Sequence, residues 1–166
     1  MEMFSLYVDF DNTIVNSRKK GTELLNEKYN ENKDHLLLRK YNFKDLFPYS
    51  TSDDINYVFD NPNFFKNLCY EDGCKEVLDF ASNLLDIKIV TTGTDINLDL
   101  KKKWIKENLP YVSKFYGVKT PDKSSVNMTG SIHIDDNIES LRSSNASVKI
   151  LLTNGISTDW NQYKLS

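Results

Sequence analysis

Five short apolar runs punctuate the chain: residues 4–8 (FSLYV), 87–90 (IKIV), 114–118 (KFYGV), 131–134 (SIHI) and 149–152 (KILL). Each is too short for a stable helix, and the first, second and fourth end abruptly in acidic or hydroxylated residues, the pattern of buried strands. Helical spacing fills the gaps. Residues 73–81 place Val77, Leu78 and Ala81 at i, i+1 and i+4, with Cys74 one turn earlier. Residues 95–109 bring Leu98, Ile105 and Leu109 near one face, and Pro110 stops the pattern. A short helix is expected over 137–143. Strands alternating with helices predict right-handed βαβ units around a parallel sheet.

The stretch 17–65 breaks this rhythm. It is rich in charge, offers no strand pattern and carries Tyr29, Tyr41, Phe43, Phe47, Tyr49, Tyr57 and Phe59. Ser52 is placed to cap a helix bearing Ile55, Val58 and Phe59. The expected organisation is an α/β fold: a Rossmann-like three-layer α/β/α core from residues 1–16 and 66–166, with a small helical cap, residues 17–65, inserted after the first strand.

Composition narrows the function classes. The 166 residues suit one domain, with 39% hydrophobic and 27% charged residues and a net charge of −3. There is no basic excess, so a nucleic-acid polymer is not the expected partner, whereas a small phosphorylated ligand fits. No apolar run approaches the ~20 residues of a membrane span. The first residues lack a basic segment before the apolar run, so a cytoplasmic protein is expected. Cys69 and Cys74 match no zinc pattern and read as ordinary thiols.

Open α/β sheets bind ligands at the carboxyl ends of their strands. The first strand there carries Asp9-Phe10-Asp11-Asn12-Thr13, the second Thr91-Thr92-Gly93-Thr94 and the fourth Asp135-Asp136, with Lys123 in the loop before the fourth. An aspartate at a strand end also caps a following helix, and a threonine there also forms turns. Converging carboxylates repel, however, and call for a hard cation, magnesium being the usual choice beside phosphate. A carboxylate can then attack phosphorus, a second can move the leaving-group proton, and a hydroxyl and an ammonium can cradle the phosphoryl oxygens.

Those residues carry a resemblance. VDFDNT resembles the DxDxT signature of the haloacid dehalogenase superfamily, and IVTT, Lys123 in PDKSS and IHIDD resemble its second, third and fourth motifs in the same order. The resemblance implies Asp9 as nucleophile, Asp11 as acid/base and backbone-carbonyl metal ligand, Thr91 as the phosphoryl-holding hydroxyl beside Thr92, and Lys123 as charge stabiliser. It implies Mg2+ held by Asp9, Asp11 and Asp136, with Asp135 behind them. NPNFFKNLCYEDGCKEVLDF, KKWIKENLP and the late Trp160 are similar to the 5′(3′)-deoxyribonucleotidase family. That likeness makes Lys101 the phosphate-facing lysine, against a solvated lysine in a KKK run.

Two departures stand out. Asn12 replaces the family's usual Gly after the second Asp. Asn16 and Ser17 occupy the region where members place a base-stacking aromatic. Tyr41 and Phe43 in the cap are then the candidates to stack a base, core packing being their other role. The leading expectation is a magnesium-dependent phosphomonoesterase of nucleoside monophosphates. A phosphatase of a sugar phosphate or other small phosphoester is the alternative, and a non-catalytic phosphate-binding module the alternative of another class. A dehalogenase has no use for Asp11.

Overall fold

Parallel pairing decides where the strands begin and end. The computed structural model describes residues 3–162. Its strands are β1 (Ser5–Val8), β2 (Asp86–Thr92), β3 (Lys114–Val118), β4 (Ile132–Asp135) and β5 (Val148–Leu151), all parallel, in the order β3-β2-β1-β4-β5. β2 runs to Thr92 because Thr91 and Thr92 pair with Gly117 and Val118. β4 and β5 sit one residue away from their apolar runs, in a ladder that pairs Ile132 with Val148.

β1 is central and buried on both faces, as a parallel strand covered on both sides must be. Leu6 and Val8 face one cluster with Ile87, Ile89, Leu78, Trp104, Ile105 and Leu109. Tyr7 points the other way, with Val90, Val126, Met128 and Ala146. The result is a sheet flanked by helices, the Rossmann-like α/β architecture expected.

The helices are α1 (Ser17–Tyr29), α2 (Ser52–Phe59), α3 (Pro62–Phe65), α4 (Cys74–Ala81), α5 (Asp95–Asn108) and α6 (Ile138–Ser143), with 3₁₀ turns at His35–Leu37 and Phe43–Asp45. The cap of α2 is Thr51 rather than Ser52. Its side chain accepts from Asp54 N while Asp54 accepts from Thr51 N, a reciprocal pair that only a residue three before Asp54 can make. On α4 the buried face runs through Cys74, Leu78 and Ala81; Val77 is 62% exposed. In so short a helix a stripe centred on Leu78 leaves its predecessor about 100° off the core.

Between β1 and α4 there is no strand, and α1 to α3 with the two 3₁₀ turns fill the segment. Its Leu25, Phe43, Phe47, Val58 and Phe64 belong to the same apolar cluster as Leu6 and Val8. Gly21 is required where α1 meets this cluster: a Cβ there would lie 2.5 Å from Phe43 Cζ.

Candidate active site

β1 and β4 are neighbours from which the chain winds in opposite directions, a topological switch point where open sheets bind ligands. Asp9 N donates to Ile134 O at 3.0 Å, so Asp9 stands beside Asp135 and Asp136. All three carboxylates are buried, and each offers an oxygen within 4.8 Å of the others.

Lys123 enters from the loop before β4 and is 1% exposed. Its Nζ donates to Asp9 Oδ1 (2.7 Å), Asp135 Oδ2 (2.5 Å) and Val90 O (3.0 Å). Ser143 Oγ accepts from Lys123 N at 2.9 Å and fixes the loop. Burial alone would depress the ammonium, but the Asp9 and Asp135 charges outweigh it and hold it above the ordinary lysine range. Burial, with the Asp135 charge, pushes Asp9 up to about 7 against the pull of Lys123. Burial and the Asp9 and Asp135 charges hold Asp136 well above the carboxylate range. Against its own burial, the Lys123 charge keeps Asp135 low.

The loop after β1 turns back on itself through Ile14 N to Phe10 O (3.0 Å) and Asn12 N to Val15 O (2.8 Å). Asn12 sits at φ 54, the left-handed region, which explains why glycine or asparagine serves there. Its side chain accepts from Arg18 N at 2.9 Å, which glycine could not do. Asp11 turns away from the acidic trio: Ser17 Oγ donates to it at 2.6 Å and Lys101 Nζ pairs with its other oxygen.

Lys101, inside the KKK run of α5, is 1% exposed rather than solvated. It also donates to Thr91 Oγ1 (3.1 Å) and Thr92 O (2.7 Å). Thr91 is wholly buried behind it and lines no described cavity, whereas Thr92 walls two. The hydroxyl-bearing residue at the site's wall is therefore Thr92; the strand continues two residues further than its apolar run, and Thr91 is buried.

A chamber of about 50 Å³ is lined by Asp9, Asp11, Thr92, Lys123, Asp135 and Asp136. It shares Asp11, Asn12, Tyr41 and Thr92 with a larger cavity of about 510 Å³, whose far walls include Phe43, Ile55, Asn56 and Phe59. Tyr41 is 63% exposed at its rim and Phe43, although 6% exposed, lines it, while Phe47 is fully buried and lines neither. Sequence reasoning missed Arg18, which lines the larger cavity, and the contacts of the loop 153–161. Asn154 Nδ2 donates to Asn12 O at 3.1 Å and Trp160 Nε1 to Asp136 Oδ2 at 2.7 Å.

A family model described as 5′ nucleotidase, deoxy (Pyrimidine), cytosolic type C protein matches residues 2–164. The chain belongs to this family. No curated protein matches its sequence. Solved structures of similar fold include a haloacid dehalogenase-like hydrolase from Streptococcus pneumoniae: TM-score 0.62, 14% identity, 96% of this chain and 89% of that one covered. A candidate phosphoglycolate phosphatase from Lactobacillus plantarum aligns with TM-score 0.63 and 14% identity over 100% of this chain and 94% of its own. A magnesium-bound candidate hydrolase of the same superfamily from Bacillus subtilis gives 0.59 and 14% over 86% and 84%. This member of the type C 5′-nucleotidase family is a phosphatase whose fold is similar to that of haloacid dehalogenase-like hydrolases.

Proposed function

We propose that the protein is a magnesium-dependent nucleotidase that hydrolyses nucleoside monophosphates through an aspartyl-phosphate on Asp9, and that it works in the cytoplasm. The observation that carries this reading is a buried Asp9–Lys123–Asp136 chamber at the foot of a cavity of about 510 Å³, of a size that holds a small organic ligand.

The donor set fits a divalent cation. Fully ionised, four carboxylates (Asp9, Asp11, Asp135, Asp136) beside two buried ammonium groups (Lys101, Lys123) would carry two unbalanced negative charges, which a divalent cation would offset. Oxygen donors without Cys or His favour magnesium, which Asp9, Asp136 and the Asp11 backbone carbonyl would hold. Asp135 has both oxygens engaged, by Lys123 and by Asn137 N at 2.9 Å, and orients the group from behind. When bound, the ion supplies charge neutralisation for the phosphoryl oxygens and for the carboxylates.

In the first step an Asp9 oxygen bonds to phosphorus as the bond to the leaving oxygen breaks, and Asp11 gives that oxygen a proton. In the second, water attacks the aspartyl-phosphate and Asp11 takes its proton, releasing inorganic phosphate and restoring both carboxyl groups. Asp11 must leave Lys101 to do so, and Lys101 then meets the phosphoryl oxygens. Phe43, Phe59 and Tyr41 supply apolar surface for a base and Asn56 a polar partner for its edge. The family's description names a deoxypyrimidine 5′-nucleotidase, which supports this substrate class.

The test is phosphate release from a panel of deoxynucleoside and sugar phosphates. Activity is expected to need magnesium, to vanish with EDTA, and to fall below about a hundredth in Asp9→Asn with the fold intact. Substantial turnover by Asp9→Asn refutes the covalent route, and preference for sugar phosphates refutes the substrate class.

A further inference from the structure

Residues 153–161 form neither helix nor strand, yet they join three parts of the site. Trp160 Nε1 donates to Asp136 Oδ2 at 2.7 Å, and Trp160 O accepts from Ile138 N at 2.8 Å, the start of α6. Trp160 thus meets the turn that carries Asp136 at two points, with its indole at Asp136 and with its backbone carbonyl at Ile138. The other Asp136 oxygen receives a 3.4 Å contact from Thr13 Oγ1, so among the described residues the indole N–H makes the one short hydrogen bond to this carboxylate.

The neighbouring residue reaches the other way. Asp159 N donates to Arg39 O at 2.9 Å and Asp159 Oδ1 accepts from Tyr41 N at 2.9 Å. Arg39 Nη1 returns a 3.4 Å bond to Ser157 O. The Tyr41 ring meets the Trp160 ring edge-on, with centroids 6.2 Å apart. Tyr41 is at the rim of both cavities, so the strap 157–160 links the rim to the acidic floor.

We propose that Trp160 is a positioning residue: its indole aims the Asp136 carboxylate at the cation, and through Asp159 and Tyr41 it couples cation binding to closure of the rim around residues 39–41. The proposal rests on Asp136 as a cation-holding group. Ligating carboxylates are themselves hydrogen-bonded, and such partners tune metal affinity from behind. Coupling of this kind is reciprocal: what orders the strap strengthens the cation, and the cation orders the strap.

Arg39 and Lys40 are exposed, which makes trypsin a reporter of the rim. The experiment titrates Mg2+ into the metal-free full chain by calorimetry and follows tryptic cleavage at 39–40 with and without Mg2+. Wild type should bind Mg2+ and gain protection. Trp160→Phe keeps a ring but loses the donor; it should bind Mg2+ at least about tenfold more weakly. It should also lose the magnesium-dependent protection. Asp159→Ala cuts the strap without touching Asp136 and should weaken Mg2+ about two- to fivefold, the worth of one hydrogen bond.

A lower melting temperature for Trp160→Phe with wild-type magnesium affinity makes the indole a packing residue and overturns the proposal. Weaker binding with protection retained overturns the coupling. If Trp160→Phe does not fold, Asp159→Ala decides: unchanged affinity and protection overturn the proposal. Failure of wild type itself to bind Mg2+ removes the cation reading, a result separable from the others.

Discussion

Replacing Lys123 by Met keeps most of the side chain's volume and deletes one charge. In the folded protein that charge stands 2.7 Å from Asp9 and 2.5 Å from Asp135, at a position 1% exposed, so water cannot take its place. Removing one partner of a buried ion pair leaves an uncompensated charge and costs about 3–5 kcal/mol. For a chain of this length, each kcal/mol moves the melting temperature by about 2–4 °C, so the midpoint should fall by roughly 6–20 °C.

The loss also has a sign with pH. Asp9 is raised to about 7 by burial and by Asp135, even with Lys123 present. A group whose folded-state pKa is raised contributes stability that is fully present below its unfolded value and lost as pH rises through the folded one. For cation-free wild type that window runs from the ordinary carboxylate range to about 7. Without Lys123 the folded value climbs further and the window extends upward, so the deficit of the variant grows above neutrality. Differential scanning fluorimetry in EDTA at pH 6 and 8.5 measures it, and added Mg2+ should return part of the loss. A midpoint shift under about 3 °C at pH 8.5, or a deficit no larger there than at pH 6, would refute this electrostatic account.

Burial separates the cap aromatics. Tyr41→Ala should raise the Michaelis constant for a nucleotide about five- to a hundredfold while sparing para-nitrophenyl phosphate, the loss of about 1–3 kcal/mol of stacking. Phe47→Ala should instead destabilise by about 3–5 kcal/mol in chemical denaturation and leave the preference between the two substrates unchanged. Gly21→Ala sets a methyl against the Phe43 ring and should cost about 1–3 kcal/mol while raising the nucleotide's Michaelis constant, because the displaced ring lines the cavity.

The strands and the acidic floor were legible because each rests on local pattern: an apolar run of four or five residues, then carboxylates or hydroxyls where the run stops. The errors arose where a neighbour one residue away could do the same work. Thr51 displaced Ser52 because only Thr51 stands three before Asp54. At the cavity wall Thr92 stands beyond the buried Thr91, because pairing with β3 carries β2 two residues past its apolar run. Lys101 stood apart from its neighbours in KKK through the family likeness, since charge pattern alone does not show which face of α5 meets Asp11. The Trp160–Asp136 and Asn154–Asn12 contacts join residues 24 and 142 apart, and no periodicity in a loop announces them.

The shared apolar cluster limits how a ligand gets in. Phe10, Phe64 and Trp104 are buried where the helical segment and the sheet layers meet, with Phe10 and Trp104 rings edge-on at 5.4 Å. Swinging the whole helical segment away would wet such side chains at about 1.5–3 kcal/mol each. Three of them already approach the roughly 5–15 kcal/mol that holds a domain folded. A hinge of that kind is a partial unfolding event, too rare to serve each turnover. The rim around Tyr41 is held instead by a few hydrogen bonds to Asp159 and Ser157, which thermal motion breaks and remakes rapidly. Any widening of the entrance is accordingly the work of the rim, while the helical segment stays packed on the sheet.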